Sequence, residues 1–152
     1  MIRQLRAGDD LAAAVDLLFR FFAEEGFTAD RARIARHAAV MAGLETCGLF
    51  VAEELGAAIA VATVSLKFGI EYGWGAEMGD LYVVPEWRGR GVSQALVEAV
   101  EAWLHSRGAT GYQVTVTPFG SDHHDLAKFY ERLGFGSEGR VILMKTLGRL
   151  NG

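Results

Sequence analysis

Helical spacing of hydrophobic positions recurs four times along the chain, separated by runs with the composition and alternation typical of strands. Apolar residues three and four positions apart predict helices over residues 11–25, 31–44, 92–107 and 123–133. Asp9 or Asp10 is the expected N-terminal cap of the first helix and Asp30 that of the second, because a carboxylate there can accept a backbone N–H. Glycine follows the first, third and fourth of these segments and is the expected stop signal.

Segments rich in Val, Ile and Thr predict strands between these helices. They cover residues 2–6, 49–53, 57–67, 78–84, 112–117 and 140–147. Leu55 and Gly56 form the expected turn of a hairpin between the second and third strands, and a further short strand is expected near Phe135. Residues 68–75 contain Gly, Tyr and Trp without alternation. They are expected to form an exposed loop whose rings either cover the edge of the core or wall a substrate cleft.

The order of these elements predicts a single α/β (α+β) domain over residues 1–152, with a sheet flanked by about four helices. A hydrophobic content of 51% is enough to bury a core without cross-links, and one cysteine, Cys47, rules out an internal disulfide. Residues 1–10 lack the apolar stretch of a signal peptide, so a cytoplasmic location is expected. No membrane span is predicted, and the net charge of −4 disfavours nucleic-acid binding.

The junction after the fourth predicted strand has the character of an anion site. The strand stops at Pro85, and Arg88-Gly89-Arg90-Gly91 leads into a helix. The glycines let the backbone turn tightly with converging N–H groups, and the first turn of the helix adds unpaired N–H groups and the positive end of its dipole. Arginine side chains match phosphate geometry. Because open α/β sheets bind ligands where a strand leads into its crossover helix, the sequence predicts a diphosphate site here.

Two common phosphate motifs do not match this junction. Gln94 stands where the dinucleotide fingerprint needs its third glycine, and the Gly-Lys-Ser/Thr of a P-loop does not follow. The run Arg88-Gly89-Arg90-Gly91-Val92-Ser93 instead resembles the acetyl-coenzyme A loop Arg/Gln-x-x-Gly-x-Gly/Ala of the GNAT superfamily of N-acetyltransferases, with Ser93 in place of the final Gly or Ala. Residues 78–85 and 123–135 resemble the central strand and the closing helix of this family, so the resemblance extends over nearly the whole chain.

The resemblance implies a GNAT-like fold, in which a mixed sheet splays apart after the central strand and pantetheine passes through the gap. It also implies acetyl-CoA as the cosubstrate, without a metal. The diphosphate is expected on the backbone of Arg88, Gly89, Arg90, Gly91, Val92 and Ser93. Main-chain groups of Tyr82, Val83 and Val84 are expected to bind pantetheine and polarise the acetyl carbonyl. His123 stands where the family often has an asparagine that contacts pantetheine.

Acetyl transfer to an amine needs a base for the ammonium proton and an acid for the departing thiolate. Asp80 is the favoured base and Glu77 the alternative, although Glu77 equally fits a carboxylate that solvates a sheet edge. Tyr130 corresponds to the tyrosine that many family members use as the acid, and its other interpretation is core packing. A phenol with a pKa near ~10 can protonate a thiolate whose conjugate acid has a pKa near ~8.5. His123 and His124 are either further proton carriers or exposed helix caps.

The acceptor is expected to be a small cationic amine, bound by carboxylates and aromatic rings on segments that flank the acceptor cleft in the family. These residues are Glu24, Glu25, Glu71, Tyr72, Trp74 and Asp122. Carboxylates interleaved with rings suit a polycation, and the arrangement resembles that of the aminoglycoside N-acetyltransferases of the superfamily. Polyamine, amino-acid and protein N-acetylation remain alternatives, as does a noncatalytic acyl-CoA-binding sensor. The expected partner is the small-molecule amine, and a homodimer is left open.

Overall fold

A computed structural model describes residues 1–117 and 125–148 of the chain. It divides the chain into two units, Met1–Thr115 and Val116–Gly152. Within the described residues, the first unit contains a sheet and three α-helices, and the second contains one α-helix. The single domain over residues 1–152 stays a prediction.

A five-stranded mixed sheet forms the centre of the first unit. Its strands are β1 (Ile2–Leu5), β2 (Cys47–Glu54), β3 (Ala57–Gly69), β4 (Gly73–Val83) and β5 (Tyr112–Val114). They lie in the order β1-β2-β3-β4-β5, in which the first four are antiparallel neighbours and β5 is parallel to β4. The predicted β2–β3 hairpin is confirmed, because Leu55 and Gly56 have the positive φ angles of 53° and 79° that suit a tight hairpin turn.

The described residues contain four α-helices, as the hydrophobic spacing predicts. They are α1 (Ala12–Glu24), α2 (Arg31–Gly43), α3 (Val92–Ser106) and α4 (Leu126–Arg132). The Asp10 carboxylate accepts the Ala12 N–H at 2.9 Å, and that of Asp30 accepts the Ala32 N–H at 3.0 Å. Asp30 is therefore the N-terminal cap of α2, as predicted, whereas the cap position of α1 is Leu11 and Asp10 lies one residue before it. None of the described helices combines the length and the apolar character needed to cross a membrane.

The two faces of the sheet carry different helices. Helix α3 covers one face, where the ring of Trp103 meets that of Phe50 edge-on at 6.1 Å between centroids. Side chains alternate along a strand, so Leu49, which precedes Phe50, points to the opposite face. Leu49 is paired with Thr63, which is paired with Asp80, and the three side chains form a row across β2, β3 and β4. Helices α1 and α2 pack over this row.

The predicted loop over residues 68–75 is wrong. Strands β3 and β4 continue through most of it and leave only residues 70–72 for the turn. Phe68 and Trp74 are partners in the β3–β4 register, and their rings meet edge-on at 5.2 Å between centroids. Cross-strand aromatic pairs stabilise a hairpin, and this pair extends the two strands where the simple hydrophobic alternation ends.

The predicted strands after α4 are also absent from the described residues. Phe135 donates its N–H to the Tyr130 carbonyl at 3.1 Å and so belongs to the turn that ends α4. Residues 140–147 have no strand partner in the part of the chain that the structure describes. Leu143 and Met144 of this segment are 89% and 91% exposed. A run of β-formers becomes a strand only where a neighbouring backbone accepts its hydrogen bonds, and that neighbour cannot be identified from composition.

Candidate active site

A β-bulge in β4 brings Asp80 into contact with Thr63. Thr63 is paired with Asp80 and the next β3 residue, Val64, with Met78, so Gly79 is the extra residue on β4. A bulge redirects the following side chain. The Thr63 hydroxyl donates to Asp80 Oδ2 at 2.5 Å. A side chain at Gly79 would crowd this contact, because its Cβ would lie 3.3 Å from Thr63 Oγ1.

The Asp80 carboxyl group borders a cavity of about 230 Å³ between the sheet and helices α1 and α2. Apart from Thr63, Asp80 and His37, the lining residues are apolar. They are Leu18, Phe22, Ile34, Ala38, Met41 and Leu49. His37 is exposed to solvent, so the cavity reaches the surface beside α2. The carboxyl group is therefore positioned to meet a small molecule that enters between the helices and the sheet.

Burial changes the acidity of this carboxyl group. Desolvation raises the pKa of Asp80 above its ordinary value of 3.8, because the surroundings disfavour the charged form. The hydrogen bond from Thr63 opposes this rise by stabilising the carboxylate, and the negative charge of Glu77 adds to it. Glu77 is paired with Ser65, two residues from Thr63, so the bulge places both carboxylates on one face. A raised pKa makes Asp80 a stronger proton acceptor than an exposed aspartate.

The end of β4 leads into a second feature, the cradle formed by residues 88–93. Gly89 and Gly91 have φ angles of 74° and 81°, which glycine adopts readily, and Gly91 is the N-terminal cap of α3. A Cβ added at either glycine would meet no atom within 4 Å, so the space above the loop is open. Because Gly91 has no side chain, it cannot cap the first N–H groups of α3. The start of α3 therefore has the open backbone that the sequence predicts as the diphosphate site.

The Arg88 side chain is engaged within the protein. Its Nε donates to the Val83 carbonyl at 2.9 Å, and one terminal nitrogen donates to Glu24 Oε1 at 3.0 Å. The Tyr82 hydroxyl donates to the other Glu24 oxygen at 3.0 Å. These bonds connect the end of α1 to the start of the cradle. The guanidinium of Arg90 instead lies over the ring of Trp87, at 4.8 Å from its centroid.

The sheet opens beside β4 just before this cradle. Strand β5 pairs only with Ala76–Met78, and the rest of that edge of β4 has no partner strand among the described residues. Val84 donates its N–H to the Ile59 carbonyl at 2.9 Å. Backbone groups alternate in direction along a strand, so the N–H of Val83 points away from β3 toward the open edge. The structure thus has an opening with a backbone donor between the Asp80 cavity and the cradle.

The sequence of the chain matches the profile of a known protein family. The profile of the Acetyltransferase (GNAT) family matches residues 11–135, which is most of the chain. The chain belongs to the GNAT family of acetyltransferases. No curated protein sequence matches it.

Solved structures agree on the GNAT fold. The aminoglycoside N-acetyltransferase AAC(6')-Iy in complex with CoA superposes with a TM-score of 0.84 at 21% identity, covering 97% of this chain and 95% of that one. An integron cassette protein from a salt-marsh metagenome gives 0.83 at 23% identity, with 97% and 91% covered. A transcriptional regulator from Bacillus halodurans C-125 gives 0.80 at 22% identity, with 96% and 99% covered. At such identities the likeness shows the fold alone.

Some acceptor residues expected from the GNAT resemblance lie far from Asp80. Glu71, Tyr72 and Trp74 are at the tip of the β3–β4 hairpin, and Trp74 is separated from Asp80 by about 20 Å of extended strand. Glu25 is the C-terminal cap residue of α1. None of these four side chains lines the Asp80 cavity, and Glu24 contacts the cradle through Arg88.

The second unit contains the expected general acid, Tyr130. It is 8% exposed, and its ring meets those of Phe129 and Phe135 edge-on at 5.1 and 5.3 Å between centroids. Burial raises the pKa of Tyr130 to about 12, so its hydroxyl keeps its proton at neutral pH. Asp122, His123 and His124 lie outside the described residues.

Thr63 and the apolar side chains of α1 and α2 line the Asp80 cavity, and sequence reasoning does not single them out. Their spacing indicates ordinary core packing, which most of them also provide. One signal was available: Thr63 interrupts an apolar run over residues 59–64 and is the buried polar residue among the described core positions. A buried hydroxyl needs a hydrogen-bond partner, and here that partner is Asp80.

Proposed function

We propose that this GNAT protein is an acetyl-CoA-dependent N-acetyltransferase that acetylates a primary amine of a small cationic molecule within a ternary complex. The observation that carries this proposal is the Asp80 carboxyl group, held by Thr63 at 2.5 Å on the wall of a cavity that reaches the surface. A base beside a substrate-sized cavity, on the strand that leads into a diphosphate cradle, is suited to acetyl transfer from coenzyme A.

Asp80 serves as the proton acceptor in this proposal. A primary amine arrives as an ammonium ion, which is attracted by the carboxylate but cannot attack a thioester. Asp80 takes the ammonium proton directly or through a water molecule, and the neutral nitrogen then forms a bond to the acetyl carbon. The backbone N–H of Val83, on the open edge of β4, is the proposed donor to the carbonyl oxygen as negative charge develops there. Glu77 keeps the role of alternative base.

The carbon–sulfur bond breaks when the tetrahedral intermediate collapses, and the departing thiolate takes up a proton. We assign that proton to the Tyr130 hydroxyl, as the family resemblance implies. With a pKa raised to about 12, Tyr130 is fully protonated at neutral pH and regains its proton readily after donation. The attacking nitrogen gives up its second proton as the amide forms, which balances the proton donated to the thiolate, and Asp80 releases the first proton to solvent. The products are then the N-acetylated amine and coenzyme A with a free thiol.

The coenzyme contacts proposed for this chain follow the cradle. The diphosphate binds the backbone of residues 88–93 and the start of α3, and Arg90 supplies the nearest charge. Arg88 acts on the coenzyme only if it leaves Glu24, so we give it first the task of holding the cradle against α1.

An aminoglycoside is the acceptor candidate that comes from the structural relatives rather than from the site itself. AAC(6')-Iy has been solved with the bisubstrate analogue CoA-S-monomethyl-acetylneamine, at 21% identity and a TM-score of 0.82 to this chain. A protein named as an aminoglycoside acetyltransferase therefore has a similar fold. This similarity favours aminoglycosides among the polycationic amines. A sequence identity of 21% does not establish a shared substrate, so the aminoglycoside is one of the amines to be tested.

The experiment is thiol release from acetyl-CoA, measured with a panel of amines that contains alkylamines, phenylalkylamines, polyamines, amino acids and an aminoglycoside. The proposal expects release that depends on at least one amine. A thermal shift with acetyl-CoA alone is measured in parallel. Stabilisation by acetyl-CoA without turnover of any amine would favour the noncatalytic sensor and reject the enzyme.

A further inference from the structure

The walls of the Asp80 cavity indicate what kind of group carries the amine. Leu18 and Phe22 come from α1, and Ile34, Ala38 and Met41 come from α2. Leu18, Ile34 and Ala38 are buried. These five side chains offer no hydrogen-bond donor or strong acceptor to a ligand.

Charge is concentrated at a single place on this wall. Asp80 is the one carboxylate among the described residues that line the cavity. Glu24, whose position at the end of α1 made it a candidate for binding a polycation, accepts hydrogen bonds from Arg88 and Tyr82. The cavity therefore offers one anionic contact, which suits one ammonium group.

The volume of the cavity limits the size of its occupant. An apolar cavity of about 150 Å³ is enough to hold benzene. A cavity of about 230 Å³ therefore has room for one six-membered ring and a short linker. A sugar ring of similar size would bring hydroxyl groups against apolar side chains, and each hydroxyl without a hydrogen-bond partner would weaken binding.

We propose that the acceptor is a primary amine carried by one aromatic ring or one short alkyl chain, with the ammonium group at Asp80 and the apolar body between α1 and α2. This inference rests on the proposed N-acetyltransferase function and narrows its substrate class. It disfavours polyamines, which carry a further ammonium group, and aminoglycosides, which carry further ammonium and hydroxyl groups.

The first test compares amines that differ only in their apolar part. The value of kcat/KM for thiol release from acetyl-CoA is measured for linear alkylamines of increasing length, phenylethylamine, ethanolamine, putrescine and an aminoglycoside. Burial of one methylene group corresponds to about a fourfold gain in binding, so kcat/KM should rise by about fourfold per methylene until the cavity is filled. Phenylethylamine should exceed ethanolamine by a larger factor.

The outcomes separate this inference from the function on which it rests. If the aminoglycoside or putrescine has the highest kcat/KM, the apolar acceptor is rejected and the acetyltransferase function stands. If no amine supports thiol release although acetyl-CoA binds, both proposals fall.

The second test narrows the cavity itself. Ala38→Leu adds bulk to the wall and should lower kcat/KM for phenylethylamine relative to ethylamine by about tenfold or more, because a hydrophobic pocket discriminates strongly by size. Ala39→Leu makes the same change one residue further along α2, where the side chain is exposed, and should keep the ratio of the wild type. Met41→Ala enlarges the cavity and should shift the highest kcat/KM to longer amines. This variant tests the cavity if Ala38→Leu does not fold. If the folded cavity variants keep the wild-type preference among these amines, the cavity does not hold the apolar body of the acceptor.

Discussion

Asp80 combines a stability cost with the chemical role that we propose for it. Folding raises its pKa above 3.8, so the folded protein binds this proton more tightly than the unfolded chain does. The contribution of Asp80 to the free energy of unfolding therefore becomes less favourable as the pH rises through 3.8 to its raised pKa, and stays so above it. A carboxylate kept under such conditions is expected where its basicity is used.

The hydrogen bond from Thr63 tunes this basicity and can be removed without changing side-chain shape. Thr63→Val should raise the pKa of Asp80 further, because the bond favours the charged form. Asp80 must be ionised to accept a proton, so the acidic limb of the kcat/KM profile should move to higher pH. The measurement is that profile with one amine for wild type, Thr63→Val and Thr63→Ser. The serine variant keeps a hydroxyl and should lie near the wild type, whereas identical limbs in all three proteins would exclude Thr63 from tuning the base.

Tyr130→Phe tests the proposed acid. The variant keeps the ring that contacts Phe129 and Phe135, so the melting temperature and the affinity for acetyl-CoA should change little. Loss of a positioned acid should lower kcat by roughly 10²–10⁴-fold. Initial rates of thiol release at saturating substrate concentrations give kcat, and calorimetry gives the affinity for acetyl-CoA. A folded variant that binds acetyl-CoA and turns over at the wild-type rate would identify Tyr130 as a core aromatic residue only.

At the scale of elements, helices were easier to predict than strands because their ends carry local signals. Asp30 caps α2 as expected, and the start of α3 follows from Gly91 and the apolar spacing after it. The extent of the β3–β4 hairpin depends on the contact between Phe68 and Trp74, which lie on different strands. The strand expected over residues 140–147 lacks a partner in the described part of the chain.

The start of α3 is the element on which the coenzyme is expected to bind, and Ser93→Asp probes it by charge. An acidic residue at the second helical position is favourable for helix stability, so the variant should melt no lower than the wild type. Repulsion between its carboxylate and the diphosphate should raise the Kd for acetyl-CoA by about tenfold or more. Ala13→Asp places the same charge at the second position of α1 and should leave the Kd unchanged. Equal affinities for the two variants in calorimetry would remove the cradle as the diphosphate site.

At the scale of the whole molecule, the site was predicted only in part. Asp80 and the glycines of the cradle stand in one short stretch, so their proximity could be inferred from sequence. The cavity wall combines side chains from α1, α2, β2 and β3, and no local pattern marks these as neighbours. Composition and family likeness predict that the acidic and aromatic residues of the hairpin tip bind the acceptor. In the structure these residues lie at the far end of β4 from Asp80.

Product analysis of Asp80→Asn beside the wild type tests whether the protein acetylates amines with Asp80 as the base. Mass spectrometry of the acetylated amine and the titrated coenzyme A thiol should give one product per thiol for the wild type. Asn keeps the size of the side chain and can still accept a hydrogen bond from Thr63, so the variant should fold and melt no lower at pH 7. Its kcat should fall by about 10²-fold or more. Thiol release without acetylated amine in the wild type would reject amine acetylation. An Asp80→Asn protein that forms product at the wild-type rate would reject Asp80 as the base.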